Sequence, residues 1–319
     1  MTAPEAGPRH RRSALAVARI VLAALVVVAV VVAVWRNWTD VSGHLRAMSP
    51  GALTLSLLLG MIAPLATMAG WRVILADLGT RLAVPPAAGI YFVGQLGKFL
   101  PGSVWSVLAQ AEMGARIGIA RRRTAVVGLI AVALSLVTGL AVGLPALPLL
   151  LRREDSRVLG VAALLVMLLL LVALHPRVLN LVIAQGLRRL RRDPLEHDLT
   201  GRAIALTTAW FLVAWLAAGA SVAVLVPQLA PSVSGGDLLL VSLCGFALAS
   251  AGGMIAVVVP AGVGVRDGLL VLLLHTVMPL SAATAVAVLI RFITTLADVI
   301  WALIGWSWAR AHHLLGARA

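Results

Sequence analysis

Charged side chains inside long apolar stretches are the residues of this sequence that could do chemistry. Lys98, Arg266 and Arg291 are basic, Asp267 and Asp298 are acidic, and each has mainly apolar neighbours along the chain. A charge in such a stretch is costly unless it has a partner or a function. Arg266 follows a glycine-rich turn at the predicted start of a helix. Free N–H groups, the positive end of the helix dipole and a guanidinium would together bind phosphate.

Spacing predicts partners for these charges. Arg291 and Asp298 are seven residues apart, which places them on one helix face but about 10 Å apart along the axis. They are too far apart for direct contact, so each needs a partner on another element, and Asp267 or Glu112 is the expected partner of Arg291. Lys98 is the chain's single lysine, against twenty-five arginines.

Two of the acids have structural interpretations as well. Asp267 fits the N-terminal cap of its helix as well as it fits a salt bridge. Glu112 and Arg116 are four residues apart, so they could pair along one helix. The expected phosphate-binding residues are Lys98, Arg266 and Arg291, and the expected supporting residues are Gln95, Glu112, Asp267 and Asp298.

The elements that must position these residues are membrane helices. The 319 residues are 61% hydrophobic and 12% charged, with a mean hydropathy of +1.03. A soluble fold of this size could not bury so much apolar side chain, so lipid must be the solvent for most of it. Stretches long enough to cross the hydrocarbon core occur at about 14–34, 51–70, 124–150, 158–174, 203–226 and 281–308.

Two further apolar regions, 85–118 and 237–279, are interrupted by glycine and proline. With six full spans, seventeen arginines fall in loops on one side of the membrane and five on the other. The arginine-rich side is cytoplasmic, and both termini lie there. This difference in arginine count between the two sides holds only if 85–118 and 237–279 each return to the side of the membrane from which they entered. We therefore expect two re-entrant hairpins from opposite sides, the first tipped near Pro101 and Gly102, the second near Pro260 and Gly262.

The predicted fold class is thus an all-α polytopic membrane protein with about six full spans and two re-entrant hairpins, which is six to eight transmembrane helices. An offset of 159 residues aligns Gly94 with Gly253 and Pro101 with Pro260, which indicates a possible inverted repeat. The alternative is that both regions are ordinary kinked spans. The expected organisation is a tail at 1–13, one transmembrane domain at 14–308 and a tail at 309–319, in the cell membrane.

Several function classes lack their signatures. One cysteine, Cys244, excludes an intramolecular disulfide. The sequence has no phosphate-binding Walker loop, no zinc motif and no Ser/His/Asp set at recognisable spacing, so we expect no catalytic residue, no metal and no cofactor. The basic residues lie in short loops rather than in an aromatic-studded module, so nucleic acid is not an expected partner.

Two motifs resemble those of the flippase-like family, which includes the transmembrane region of lysylphosphatidylglycerol synthase. The first runs from Gly97 to Trp105 and continues through Gln110-Ala111-Glu112, and the second is Pro260-Ala261-Gly262-Val263-Gly264-Val265-Arg266-Asp267-Gly268. The last span, with Arg291-Phe292-Ile293-Thr294-Thr295 and Asp298, is similar to the family's closing helix.

The resemblance covers about Leu15 to Trp308. It implies a polytopic α-helical fold and movement of a phospholipid or a polyprenyl-phosphate-linked lipid between leaflets. Many members follow the first Pro-Gly with an Arg-Gly-Glu-like stretch, whereas Ser103-Val104-Trp105 stands here. No soluble synthase domain is recognisable in these residues, so the resemblance does not imply lysyl transfer.

The sequence therefore predicts a lipid translocase rather than an enzyme. One alternative is a secondary transporter of a small anion. The other is an enzyme or accessory component of lipid-linked glycan synthesis, which paired acids near Asp40 or Glu154 would favour. Membrane lipids are the expected partners. The expected class of protein partner is a glycosyltransferase or a lipid-modifying enzyme. The sequence does not give the oligomeric state.

Overall fold

The computed structural model describes residues 43, 48–100, 104–151, 156–189, 197–256, 262 and 264–311. This part of the chain contains ten main helices and no strand. The helices are α1 Pro50–Asp77, α2 Val84–Gln95, α3 Trp105–Ala115, α4 Arg121–Gly143, α5 Ser156–Ala173, α6 Pro176–Arg189, α7 Gly201–Leu229, α8 Gly235–Ile255, α9 Val265–Leu274 and α10 Leu280–Ala311. Short turns prolong α2 through Leu96–Phe99 and α4 through Leu147–Leu151, and a π-helical turn at Leu240–Cys244 lies inside α8.

Five of these helices are long and apolar enough to cross a membrane: α1, α4 with its extension, α7, α8 and α10. The predictions at 51–70, 124–150, 203–226 and 281–308 are confirmed. The predicted span at 158–174 is α5, which meets α6 at a 70° bend. The predicted span at 14–34 lies outside the described residues. The chain is an all-α, multi-pass membrane protein, as its composition predicts.

The helices α1 and α7 form a long antiparallel pair. Near one end Thr200 donates hydrogen bonds to the Asp77 carboxylate from its N–H and hydroxyl, both at 2.8 Å. Further along, the Ser56 and Ser221 hydroxyl oxygens lie 2.8 Å apart in the buried interface. The two polar contacts are far apart in each helix, so they fix the register of the pair along most of its length.

The helices α2 and α3 form the first hairpin, whose arms have 12 and 11 residues. At a rise of about 1.5 Å per residue such arms are too short to cross some 30 Å of hydrocarbon. Glycines let the arms touch, because a Cβ on Gly97 would lie 2.6 Å from the Ser106 backbone nitrogen. A Cβ on Gly94 would lie 2.5 Å from the Gln110 Cγ.

The helices α8 and α9 form the second hairpin, with unequal arms of 21 and 10 residues. The longer arm meets the length and composition of a full span, which agrees with the alternative of a kinked span for this region rather than with a short re-entrant arm. The arms approach closely where Gly253 faces Gly262, whose φ of 64° suits glycine. Gly94 and Gly253, the residues aligned by the 159-residue offset, thus both lie where the arms of their own hairpin meet.

The long helix α10 shows that the two hairpins approach from opposite ends. At the C-terminal end of α10, Gly305 packs against the backbone of Ala88 in α2. The hairpin then follows α10 toward its middle, where Lys98 meets Asp298. The second hairpin begins beside the middle of α10, where Arg266 contacts Thr294, and α9 leads back toward the start of α10. Lys98 and Arg266, which flank the turns of the two hairpins, therefore both lie about halfway along α10.

The same order of elements occurs twice, as a long helix, a hairpin and a long helix. The first set is α1, α2–α3 and α4, and the second is α7, α8–α9 and α10. Since α1 and α7 are antiparallel and the hairpins enter from opposite ends, the two sets run in opposite directions. This arrangement agrees with the predicted inverted repeat. The predicted tip residues Pro101, Gly102 and Pro260 lie outside the described residues.

Candidate functional site

A cavity of about 380 Å³ lies where the two hairpins approach each other. Its walls come from α1, the first hairpin, α4, α7, the second hairpin and α10. Six residues singled out in the sequence line it: Gln95, Lys98, Gly262, Arg266, Arg291 and Asp298. The fold therefore brings together side chains from three separate parts of the sequence.

Lys98 and Asp298 form an ion pair on one side of the cavity. The Lys98 Nζ lies 2.6 Å from Asp298 Oδ2, and the two side chains are 35% and 15% exposed. The lysine also lies over the Phe99 ring, with its nitrogen 5.5 Å from the ring centre. The pair connects the first hairpin to α10, so the expectation that Asp298 finds a partner on another element is confirmed.

Asp267 contacts both arginines that line the cavity, Arg266 in α9 and Arg291 in α10. Arg291 Nη2 donates a hydrogen bond to Asp267 Oδ2 at 2.8 Å, and Arg266 Nε lies 3.5 Å from Asp267 Oδ1. The Gly264 N–H donates to Asp267 Oδ2 at 3.1 Å, so the same carboxylate also caps α9. Both structural interpretations of Asp267 are thus correct, and the expected Arg291–Asp267 pair is present.

Arg266 is held less completely than its neighbour. Its Nη2 reaches the Thr294 hydroxyl at a long 3.4 Å, and its guanidinium carbon lies 5.8 Å from the Phe246 ring centre. Its Nε is buried and makes no hydrogen bond within the described part of the chain. Arg266 lines the cavity, so its guanidinium can exchange the long Thr294 contact for an anion with little rearrangement.

The charges around the cavity do not balance. Lys98, Arg266 and Arg291 supply three positive charges, and Asp267 and Asp298 supply two negative ones. Electrostatics among the described residues around the cavity therefore favours an anion over a cation.

Uncharged polar groups line the part of the cavity between α1 and the first hairpin. The Gln95 amide nitrogen donates to the Tyr91 hydroxyl at 2.7 Å. Gln110 Oε1 and Trp71 Nε1 are buried and have no hydrogen-bond partner in the described residues. We call the region lined by Thr67, Trp71, Tyr91, Gln95 and Gln110 the neutral chamber.

The cavity rim has an apolar section. Phe99, Leu100 and Val132 all line the cavity, and they are 36%, 53% and 44% exposed. The first two belong to the tip of the first hairpin and the third to α4. In a membrane, side chains of this type face acyl chains rather than water. The cavity is thus bordered on this side by a surface suited to lipid.

Two residues singled out in the sequence lie elsewhere. Glu112 is exposed and accepts two hydrogen bonds from Arg121, from Nε at 2.7 Å and from Nη2 at 3.0 Å. Trp105 is 47% exposed and is not part of the cavity lining. Arg121, which donates the two hydrogen bonds to Glu112, lies nine residues along the chain at the start of the next helix, a spacing that a search for partners three or four residues away does not find.

Sequence reasoning missed several lining residues. Thr294 is one turn from Arg291, and Tyr91 is one turn from Gln95, so helical spacing from residues already chosen could have found both. Trp71 and Trp301 gave no such signal, because tryptophan in an apolar helix is usually packing. No group of three or more His, Cys, Asp or Glu side chains in the described residues could hold a metal ion.

Comparison with known proteins gives one family. The model of the lysylphosphatidylglycerol synthase TM region matches residues 19–302, which includes both hairpins and most of α10. A search of curated proteins finds no match. The family match agrees with the resemblance carried by the two hairpin motifs, and it covers most of the chain. The chain therefore belongs to the lysylphosphatidylglycerol synthase transmembrane-region family.

Proposed function

We propose that this protein is a lipid translocase that moves an anionic phospholipid or a polyprenyl-phosphate-linked lipid between leaflets. One observation carries the proposal. Lys98, Arg266 and Arg291 surround a single cavity, halfway along α10, whose rim is apolar at Phe99, Leu100 and Val132. The charges suit the phosphate of the lipid, and the rim suits its chains.

The size of the cavity supports a headgroup as the cargo. At about 380 Å³ it is at the small end of the range for small-molecule sites. A phosphate with its headgroup fits a site of this size. The chains would remain outside, against the exposed side chains of the first hairpin and α4.

Capture and release both follow from the ion pairs. A phosphate entering the cavity would compete with Asp298 for Lys98, and with Asp267 for the two arginines. Each cation would then exchange one anionic partner for another, so it would never be left unpaired in a region of low dielectric constant. Exchange of this kind keeps binding weak enough for the lipid to leave.

Movement of the two hairpin-bearing halves would open the cavity to each leaflet in turn. In the orientation we propose, both termini and the open end of the first hairpin face the cytoplasm, in the cell membrane. The sequence contains no ATP-binding motif, so transport would run downhill or be driven by protons or the membrane potential. A glycosyltransferase or lipid-modifying enzyme acting on the moved lipid would be the natural partner, and the protein itself would catalyse no covalent step.

The test is translocation of fluorescently labelled phosphatidylglycerol in phosphatidylcholine vesicles that contain the purified protein. Quenching of the outer leaflet by dithionite measures how fast label moves between leaflets. We expect wild-type protein to move the label faster than protein-free vesicles do, and Lys98→Gln and Arg266→Gln to slow it about tenfold or more. Arg121→Gln removes the same charge outside the cavity and serves as the control.

Two results would contradict the proposal. Equal rates in wild-type, Lys98→Gln and Arg266→Gln vesicles would show that the cavity cations are not used. No lipid movement together with release of trapped radiolabelled phosphate would identify a carrier of small soluble anions instead.

A further inference from the structure

The side chains of the neutral chamber indicate which kind of headgroup the transported lipid carries. This inference rests on the proposed function. We propose that the neutral chamber is a second subsite, adjoining the phosphate-binding cations, that takes the hydroxyl groups of a polyol headgroup. The cargo is then a phosphodiester of glycerol, an inositol or a sugar, rather than a bare phosphate or an ethanolamine ester.

The first argument is the state of the polar atoms. Gln110 is 3% exposed and Trp71 is fully buried, yet Gln110 Oε1 and Trp71 Nε1 have no hydrogen-bond partner in the described residues. Buried polar atoms almost always have partners, and an unpaired one destabilises the structure. Both residues line the cavity. One atom accepts and the other donates, so a hydroxyl group could satisfy either atom once a small rotation of the side chain turns it toward the cavity.

The second argument is the chemistry of the chamber. Its polar atoms are amides, hydroxyls and an indole N–H, supplied by Thr67, Trp71, Tyr91, Gln95 and Gln110, and none of these side chains is ionised. An ammonium group would need a carboxylate, but Asp298 is paired with Lys98 and Asp267 with Arg291. The excess positive charge around the cavity would also repel an amine. A hydroxyl group is uncharged, so it needs no carboxylate and the positive charge does not repel it.

The third argument is the position of the chamber. Gln95 is three residues before Lys98 on the first hairpin, and Phe92 stacks on Trp301, one turn beyond Asp298 in α10. The chamber therefore begins beside the Lys98–Asp298 pair and extends toward α1. A phosphate at the cations can thus place the group esterified to it in the chamber, while its lipid chains leave at the apolar rim.

The experiment compares soluble headgroup esters with the purified protein in detergent. Glycerol 3-phosphate, phosphoethanolamine and inorganic phosphate share the phosphate and differ in what occupies the chamber. We expect thermal protection titrations to show glycerol 3-phosphate binding about tenfold more tightly than the other two. Gln110→Met and Trp71→Phe, which keep most of the volume, should each reduce this preference about fivefold. Two variants are used so that the result does not depend on one of them folding.

Thr124→Val is the matched control. Thr124 Oγ1 is also buried without a hydrogen-bond partner in the described residues, but Thr124 does not line the cavity, so its loss should leave the preference unchanged. Equal affinity for the three compounds in wild-type protein, or an unchanged preference in both chamber variants, would overturn the subsite.

Vesicles decide whether the polyol phosphate that binds is part of a lipid or a free ester. Movement of labelled phosphatidylglycerol without uptake of radiolabelled glycerol 3-phosphate identifies the lipid, and the reverse identifies the soluble ester. Lipid movement that does not depend on the headgroup would overturn the subsite while leaving the proposed function intact. Absence of any lipid movement would overturn the proposed function, even if the preference for glycerol 3-phosphate is found.

Discussion

The Lys98 Nζ lies 2.6 Å from Asp298 Oδ2, and the two side chains form an ion pair. Lys98 is at the end of the first arm of the first hairpin, and Asp298 is in the middle of α10. The pair links the hairpin to the helix along which both hairpins are aligned. Lys98→Gln and Asp298→Asn should each destabilise the protein, and their effects should not add. We expect a coupling of about 0.5–3 kcal/mol in a double-mutant cycle, measured by thermal unfolding in detergent.

The exposed Glu112–Arg121 pair offers the comparison for this cycle. Its atoms are as close as those of Lys98 and Asp298, at 2.7 Å, but both side chains are more than half exposed. Water and salt screen such a pair, so its cycle should show a smaller coupling. A coupling near zero for Lys98 and Asp298 would show that their contact does not stabilise the fold.

Asp267 has two separable roles, because its carboxylate carries charge and also caps α9. Asp267→Asn keeps an oxygen for the Gly264 N–H but removes the charge shared by Arg266 and Arg291. Since partly buried guanidiniums would then face each other uncompensated, we expect a loss of about 3 kcal/mol in the free energy of unfolding. Asp267→Ala removes the cap as well and should cost about 1 kcal/mol more. Equal stability of the two variants would contradict the capping role.

The first hairpin depends on glycine at its closest approach. Gly97→Ala would place a Cβ 2.6 Å from the Ser106 backbone nitrogen, and backbone cannot rotate away as a side chain can. The arms must separate, so we expect destabilisation of about 1–3 kcal/mol and slower translocation in the same preparation. Gly186→Ala is the control, because nothing lies within 4 Å of its Cβ position. In helix α6 this change should stabilise slightly. A Gly97→Ala protein as stable as wild type would mean that the arms can adapt.

The sequence predicted much of this fold because membrane chemistry restricts what each residue type can do. Apolar stretches of sufficient length became helices, and the glycines and prolines of 85–118 and 237–279 marked the two hairpins. The partners of Arg291 and Asp298 had to lie on other elements, since their spacing ruled out contact between them. Each of these predictions follows from the free-energy cost of an unpaired polar or charged group. Water lowers this cost by hydrating the group, whereas lipid does not.

Other features depend on packing that one-dimensional patterns do not record. Pro176 begins α6 at the 70° bend after α5, but a proline in the sequence gives neither the angle nor the side to which α6 turns. The pairing of Lys98 with Asp298 requires knowing that the first hairpin runs antiparallel to α10. The neutral chamber is formed mainly by residues such as Trp71 and Tyr91, which look like ordinary core in the sequence.

The opposed entry of the hairpins can be tested by cysteine labelling in intact cells. In a Cys244→Ala background, Val84→Cys and Ala120→Cys flank the first hairpin, and Ser234→Cys and Leu280→Cys flank the second. All four positions are exposed in the structure. We expect an impermeant thiol reagent to label the second pair from outside and the first pair only after permeabilisation. If the two cysteines of one pair were labelled from opposite sides, the region between them would cross the membrane. That result would remove the basis for the proposed transport cycle.

The apolar rim makes a prediction that separates lipid transport from transport of a soluble anion. Val132 lines the cavity and is 44% exposed, whereas Leu129, on the same helix, is 50% exposed but does not line it. Val132→Trp should narrow the gap beside Phe99 and Leu100 through which lipid chains would leave, and it should slow movement of labelled phosphatidylglycerol about tenfold. Leu129→Trp adds an aromatic ring to the neighbouring lipid-facing surface and should have little effect. Because the cations are untouched in both variants, protection by glycerol 3-phosphate should be the same as in wild type. Equal lipid rates in the two variants would mean that the chains do not pass this rim.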